Sequence, residues 1–529
     1  TKALSYNVQE VKSDEITRVK DANFVNSLNG KVAGVNINAS SSGVGGVSKV
    51  VMRGTKSIMQ SSNALYVIDG VPMYAGTGKG GTEFDSKGST EPIADINPED
   101  IESMSVLTGA AAAALYGSDA ANGAIVITTK KGKEGRVNIT VNSNTEIFNA
   151  FVTPDFQNRY GTSGGQITHS WGNLLNSSNS YGYNPTSDYF QTGVTGTESI
   201  SLSTGTDKNQ TYVSAAAVNS KGLIPNNKYA RYNFTFRNTT SFLDDKMTLD
   251  VGATYVLQKD QNMVNQGTYN NPLVGAYLFP RGNDWEDFKM YERYDASRKL
   301  DTQYWPVGDA GMVMQNPYWI INRNMFNNDR DRYMANAGLK YKVFDWMDIS
   351  GRVRIDNANT RHTKKLYAST DAKFAQNKGY YGDRKDVDKQ LYADFLVNIN
   401  KRFNDFDLTA NVGASIQDVS MDYVGAEGQL SMIPNLFTLH NVDLGANNSR
   451  IKQDGWKEQT QSVFTSAELG WKSMIYLSAT ARNDWSSALV NTPNSSFFYP
   501  SVGLSGVITE MVKSVSYTHL RAHETELHL

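Results

Sequence analysis

The sequence predicts a partial transmembrane β-barrel with an N-terminal α/β domain, on three observations. Long runs after Val137 alternate apolar and polar residues. Tight turns alternate with long connections between those runs. The stretch up to about Gly135 instead mixes short helical and strand-like segments rich in Gly and Ala.

In the first region Asp21 can cap a short helix carrying Phe24, Val25 and Leu28, which stops at Gly30. A strand pair follows, with Val35 and Ile37 in one member and Val50, Val51 and Met52 in the other. Ala64-Leu65-Tyr66-Val67-Ile68 reads as a buried strand ending in the turn Asp69-Gly70-Val71-Pro72. Asn97-Pro98-Glu99-Asp100 supplies an N-cap, a Pro at the first helical position and two acids where the helix dipole favours them. Ala110 to Tyr116 forms a second small helix closed by Gly117, and Asn122-Gly123 turns the chain into the strand from Ala124 to Thr128.

Beyond Val137, Leu249, Val251, Ala253, Tyr255 and Leu257 alternate with Asp250, Gly252, Thr254, Val256 and Gln258. The pattern recurs with Met347 to Asp356 (Arg352, Arg354 and Asp356 in the polar row), Leu408 to Gln417, and Ile475 to Arg482. Each run suits a half-buried strand of a soluble sandwich as well as a membrane strand. Run length decides between them, because about 9–11 residues is what a tilted strand needs to cross a bilayer, against about 5–6 for an ordinary strand. The connections at Phe344-Asp345-Trp346, Asn404 to Asp407 and Lys472-Ser473 are tight, whereas Asn357 to Gln390 and Asp418 to Thr460 read as long loops.

The composition excludes several classes. With 51 Lys plus Arg against 53 Asp plus Glu there is no field to gather nucleic acid, and zero Cys removes disulfides and thiolate metal sites. No apolar run is long enough for a membrane helix, and the mean hydropathy of −0.46 does not bear on barrels, whose strand faces average out. The 28 Tyr suit interfacial belts and sugar stacking, though each alone serves packing equally. Gly43-Val44-Gly45-Gly46 lacks the context of a phosphate loop and reads as a turn.

Four motifs follow in order: V-M-R-G-T-K-S (Val51 to Ser57), A-L-Y-V-I-D-G-V-P (Ala64 to Pro72), I-N-P-E-D-I-E-S (Ile96 to Ser103) and A-A-A-A-L-Y-G-S-D-A-A-N-G-A-I-V-I-T-T-K-K-G (Ala111 to Gly132). Together they resemble the plug domain of SusC/RagA-type TonB-dependent transporters of the bacterial outer membrane. R-N-D-W-S-S-A-L (Arg482 to Leu489) and F-F-Y-P-S-V-G-L-S (Phe497 to Ser505) resemble the same family's barrel. Departures fall at Leu107-Thr108-Gly109 and Ser118-Asp119, where the family usually places Lys-Asp and a basic residue. The resemblance implies a plug domain over 1–135 and a partial barrel over 136–513, about a dozen strands against about 22 in the large plugged transporters. The family's export signal and TonB-binding segment are expected outside this stretch. Residues 514–529 read as a non-native, adaptor-derived tail, so the zinc-like spacing of His519 and His523 beside Glu524 carries no metal site.

The resemblance further implies active import of an oligosaccharide or peptide, powered by the TonB–ExbB–ExbD complex, with a SusD-like surface lipoprotein as lid. No cofactor, metal or catalytic residue is implied. The plug signature comprises Arg53, Gly54, Asp69, Gly70, Pro72, Tyr116, Gly117, Asn122 and Gly123. Arg53 is the implied latch between plug and barrel, while the residues alone serve equally for a solvated surface arginine. The Gly-containing pairs read as turns and caps that shape the domain. Ligand contacts are expected from loops near Met73 to Glu91 and from the long barrel loops. A passive porin or surface adhesin would share the barrel and dispense with energy coupling, and the plug motifs argue against the porin. The acids Glu99, Asp100 and Glu102 could suggest glycoside hydrolysis, but their place at a helix start explains them.

Overall fold

The computed structural model describes residues 8–511 except 18–20, 40–42, 53, 56–61, 74–87, 108–109, 163–168, 179–181 and 309–313. The latch candidate Arg53, Thr108-Gly109, most of the Met73 to Glu91 loop and the tail with His519 and His523 therefore lie outside the described residues.

The small domain is built on a five-stranded sheet of β1 (Val8–Lys12), β4 (Leu65–Ile68), β5 (Val71–Pro72), β6 (Ile101–Leu107) and β7 (Ala124–Thr129), in the order β1-β6-β7-β4-β5. Only β4 and β7 run parallel. A separate ribbon pairs β2 (Val35–Ala39) with β3 (Ser48–Met52), the strand pair the sequence predicts, in a register that matches Val35 to Met52 and Ile37 to Val50. The core gathers Phe24, Val25, Leu28, Met52, Ile101, Met104 and Ile125, all buried. The first cap is corrected: Asn23 accepts from Val25 N at the start of the 3-10 turn Phe24–Leu28, while Asp21 accepts from Asn23 N one step earlier. Asn97 caps Pro98–Asp100 as expected.

The rest of the sheet structure is one antiparallel array of twelve strands: β8 (Gly135–Phe148), β9 (Gly193–Gly205), β10 (Asn209–Lys221), β11 (Lys228–Phe242), β12 (Met247–Gln261), β15 (Asn324–Phe344), β16 (Met347–Leu366), β17 (Tyr380–Phe403), β18 (Phe406–Gln429), β19 (Arg450–Trp471), β20 (Ile475–Ser486) and β21 (Ser496–Gly506). A small hairpin of β13 (Glu292–Asp295) and β14 (Leu300–Gln303) sits in one long connection. Neighbours in sequence pair throughout, the meander of an up-and-down barrel. Among the described residues β8 and β21 stand at the two ends of the strand order.

Two connections expected to be long loops are shorter. β16 runs on to Leu366 and β17 starts at Tyr380, leaving 367–379, and β18 runs to Gln429 with β19 starting at Arg450, leaving 430–449. Strands β17 and β18 reach 24 residues each, more than twice what a bilayer crossing needs. Past the lipid both strand faces meet water, so the apolar alternation ends although the hydrogen-bonded ladder does not. Cross-strand ion pairs take over there, Arg361 with Asp383 at 2.6 Å and Lys452 with Glu427 at 2.7 Å.

The two faces of the sheet are inverted relative to a soluble protein. Along β11, Arg231, Asn233 and Arg237 are buried, while Tyr232, Phe234 and Phe236 are exposed. Val353, Ile355, Phe395, Val412 and Leu477 continue the exposed apolar face on other strands. A soluble sheet hides its apolar row; a lipid-facing one displays it and keeps polar residues inside.

On the long-loop side, connections 149–192 and 262–323 pack on each other around Tyr183, Tyr189, Phe279, Trp285 and Phe288. Trp285 stacks on Tyr183 at 4.5 Å between ring centroids and meets Phe279 edge-on at 4.9 Å.

Candidate functional site

The inward row of the sheet is where the small domain sits. Strand periodicity puts every second residue on that row, and burial there leaves a charge stable only if it is paired. Four plug segments supply the partners.

The first is the β4–β5 hairpin. Asp69 and Gly70 adopt φ of 50° and 82°, the two left-handed residues of a tight hairpin turn. Asp69 binds its own domain, accepting from Thr129 N at 3.0 Å and Thr129 Oγ1 at 2.7 Å, and meets Arg237 of β11 at 3.1 Å. Arg237 also grips Asp250 of β12 through two hydrogen bonds of 2.8 and 2.9 Å. Arg352 of β16 donates to the Asp69 carbonyl at 2.8 Å, Arg354 to that of Ile68 at 3.3 Å, and Gln390 of β17 to that of Pro72 at 2.9 Å. A Cβ on Gly70 would lie 2.3 Å from the Arg352 guanidinium, so the turn is shaped for this approach.

The second is the turn Pro92–Asp95. Arg332 of β15 donates to Asp95 Oδ2 at 2.8 Å and to the Pro92 carbonyl at 2.7 Å, while its other two donors hold Asp356 of β16 at 2.8 and 2.6 Å. Arg330 adds a 3.3 Å contact to the same Asp95 oxygen. Asn233 donates to the Asp95 carbonyl at 2.5 Å, and Arg231 donates to the carbonyls of Ala22 and Ala94.

The third is Asp100, which accepts from Tyr212 of β10 and Thr235 of β11, both at 2.9 Å. Burial pushes its carboxyl above the ordinary 3.8, against the pull of its hydroxyl donors. Of the other two acids, Glu99 in that turn accepts from Asn142 at 3.1 Å, while Glu102 lies in β6 and not at the helix start expected for it, and pairs with Lys133 at 3.6 Å. All three make docking or surface contacts.

Farther round the sheet, Arg482 of β20 donates to the Leu115 carbonyl at 2.9 Å and to Asp484 at 2.7 Å. A Cβ on Gly117 would fall 2.6 Å from Asp484. Burial, then the charges of Glu458 and Asp484, raise the carboxyl of neighbouring Asp119.

Among the signature residues, Asp69, Gly70, Pro72 and Gly117 thus meet the sheet. Tyr116 packs beside the cluster of Leu65, Val67 and Ala112. Gly123 is internal: its carbonyl accepts from Leu65 N at 2.9 Å, and a Cβ there would strike Met52 Sδ at 2.3 Å. Asn122 is half-buried beside it. Gly54 has open space around its Cβ direction. Most of the described charged contacts place guanidinium groups on the sheet and carboxylates or carbonyls on the plug, while Lys131 reverses that polarity by meeting Asp250 of β12 at 3.0 Å. Asp95, Arg231, Arg237 and Arg332 are not among the sequence candidates. The signal for the three arginines was the polar row itself, where Asp250, Arg352, Arg354 and Asp356 already stand in the alternating pattern. Among the described residues no group of three metal-ligating side chains gathers.

Residues 1–124 match the family TonB-dependent Receptor Plug Domain. The TonB-dependent receptor SusC of Bacteroides thetaiotaomicron is 24% identical over 424 residues, covering 77% of this chain and 40% of that protein. The TonB-dependent receptor P3 of Formosa agariphila is 25% identical over 506 residues, covering 94% and 46%. The chain therefore spans less than half the length of either relative. In fold it is similar to the structure of the RagAB peptide transporter, with a TM-score of 0.75 at 22% identity over 98% of this chain and 59% of that one. The ferric enterobactin receptor PfeA of Pseudomonas aeruginosa gives a TM-score of 0.57 at 14% identity over 95% and 60%.

A polar-lined, lipid-faced sheet with an α/β domain docked on its inner row is a plugged outer-membrane barrel. Its plug motifs and its relatives fix the group more closely. The chain carries a TonB-dependent receptor plug over residues 1–124 and along its length is similar to the SusC/RagA type of TonB-dependent transporters, which are proteins of the bacterial outer membrane.

Proposed function

We propose that the complete protein imports a nutrient, an oligosaccharide or a peptide, across the outer membrane, the plug gating the barrel. The observation that carries this reading is the docking of Asp69, Asp95 and Asp100 onto the inward arginines and hydroxyls of the sheet. A stopper held by this many polar bonds does not move by thermal motion alone, since each charge-assisted bond contributes about 1.5–3 kcal/mol. Work must therefore come from outside the chain, which is the role we give TonB–ExbB–ExbD. A SusD-like lipoprotein as lid follows from the likeness to that type, and pull-down of the intact protein from membranes should recover it. We divide the chain into a plug over 1–135, a partial barrel over 136–513 and a foreign tail over 514–529. Glycan import is suggested by the likeness to SusC, and peptide import by the likeness to RagAB. Uptake of labelled oligosaccharides and peptides in cells with and without TonB tests the reading. Equal uptake in both would return the passive porin.

A further inference from the structure

One buried charge where the plug meets the sheet has no counter-ion. Arg354 of β16 is 8% exposed, and its hydrogen bonds go to the Ile68 carbonyl at 3.3 Å and to Met334 Sδ at 3.4 Å. Among the described residues no carboxylate pairs with it. Asp356, two positions along the strand, is held by Arg332 at 2.6 Å, and Asp69 by Arg237 at 3.1 Å. A guanidinium carries five N–H donors, so most of those on Arg354 are left for another acceptor.

Arg354 lines a cavity of about 370 Å³ between the plug hairpin and the sheet, far above the ~15 Å³ that a single water needs. The charged groups around it are Asp69 and Lys131 of the plug and Arg237, Asp250, Arg352 and Arg354 of the sheet. Arg237 bridges Asp69 and Asp250, Lys131 meets Asp250 at 3.0 Å, and Arg352 is neutralised by Asp394 at 2.5 Å from beyond the lining. Four cations thus share three carboxylates, and the charge left over is that of Arg354. Asn336, opposite Arg354 on β15, and Thr128 of the plug add an amide and a hydroxyl to the walls. Thr128 and Lys131 are exposed, which connects the cavity to solvent. It lies in the halves of β15 and β16 nearer their tight turn, the periplasmic side of an outer-membrane barrel.

A buried guanidinium without a counter-charge is costly, and a planar carboxylate answers it with two parallel hydrogen bonds. We propose that this cavity binds a small carboxylate on Arg354, beside Asn336, Thr128 and Lys131, and that the bound anion tightens the plug. Both walls are needed to make the site, Thr128 and Lys131 coming from the plug and Arg354 and Asn336 from the sheet. The anion therefore binds the docked state and not the undocked one, and by mass action it shifts the balance towards docking. A carboxylate accumulating in the periplasm holds the stopper in place. The inference stands on the docked geometry and is independent of what the protein imports.

The probe is sodium acetate, with sodium chloride and acetamide as controls, added to outer-membrane vesicles that carry the full-length protein. At neutral pH and fixed ionic strength acetate should slow trypsin cutting of the plug by about threefold or more, saturably, and neither control should. Arg354→Gln, which keeps a donor for the Ile68 carbonyl but no charge, should abolish the acetate response. Arg361→Gln, on the far extension of β16, should leave it unchanged. If Arg354→Gln does not assemble, Lys131→Gln takes its place and should raise the half-saturating acetate concentration by about threefold or more. Acetate that acts no better than chloride overturns the site. So does an equal response in Arg354→Gln, or an unshifted one in Lys131→Gln. The readout is plug protection without transport, so the import reading stands or falls separately, on uptake with and without TonB.

Discussion

Asp95 of the plug and Arg332 of the barrel meet at 2.8 Å with the carboxylate wholly excluded from solvent, and Arg332 simultaneously holds Asp356. One guanidinium thereby ties the plug to two adjacent strands. Removing one partner of such a pair leaves the other buried without its charge balance, at a cost of about 3–5 kcal/mol. Asp95→Ala should therefore loosen the plug by about that much, and Arg332→Ala by at least as much because Asp356 is orphaned too. The double variant should cost less than the sum of the two. Urea titration of plug protection against trypsin in outer-membrane vesicles measures all three, and strict additivity would show that the contact does not hold the plug.

Gly70 and Gly54 separate two contributions that glycines make. Both have positive φ, 82° and 87°, so alanine at either carries about 1–2 kcal/mol of backbone strain. Only at Gly70 would the new Cβ lie 2.3 Å from Arg352, which is committed to the Asp69 carbonyl and Asp394. Gly70→Ala should raise plug release well beyond Gly54→Ala in the same assay. Equal effects would mean that the close approach of hairpin and barrel is unimportant.

The strand pattern made the barrel legible because period-two alternation encodes which face meets lipid, and Val353 and Ile355 against Arg352 and Arg354 stand on opposite faces as that rule requires. Turn chemistry made Asp69-Gly70 and Asn97 legible in the same local way. The docking contacts were not, because Asp95 and Arg332 are 237 residues apart and nothing local marks a pair. Strand ends were misplaced where water replaces lipid, since Asn357 to Leu366 keeps its ladder after the apolar signal has gone.

Asp100 gives the docking a pH dependence of defined sign. Its carboxyl is raised above the ordinary 3.8 by burial, so the docked state binds the proton more tightly than the unfolded chain does. The stabilisation from this group is complete below that ordinary value and is lost as pH rises through the raised one. Docking in the wild type should therefore weaken as pH rises above that ordinary value. Asp100→Asn, which cannot ionise, should flatten that part of the profile while still accepting from one hydroxyl. The trypsin-protection midpoint measured across this range checks it, and a variant with an unchanged slope would assign the dependence to another group.

Trp285 tests whether the long loops form a unit of their own. It contacts Tyr183 at 4.5 Å, Phe279 at 4.9 Å and Tyr189 at 6.0 Å, and its indole nitrogen donates to Tyr318 at 3.3 Å. Trp285→Ala removes the centre of that cluster, a loss of about 3–5 kcal/mol for a buried aromatic. The cluster is built from 149–192 and 262–323 with Ile224 of the β10–β11 connection, and the strand ladder makes its hydrogen bonds without it. The loss should therefore appear as faster proteolytic cutting within those two connections, with the thermal midpoint of the sheet unmoved. A fall in that midpoint would show instead that the loop cluster and the barrel fold as one cooperative body.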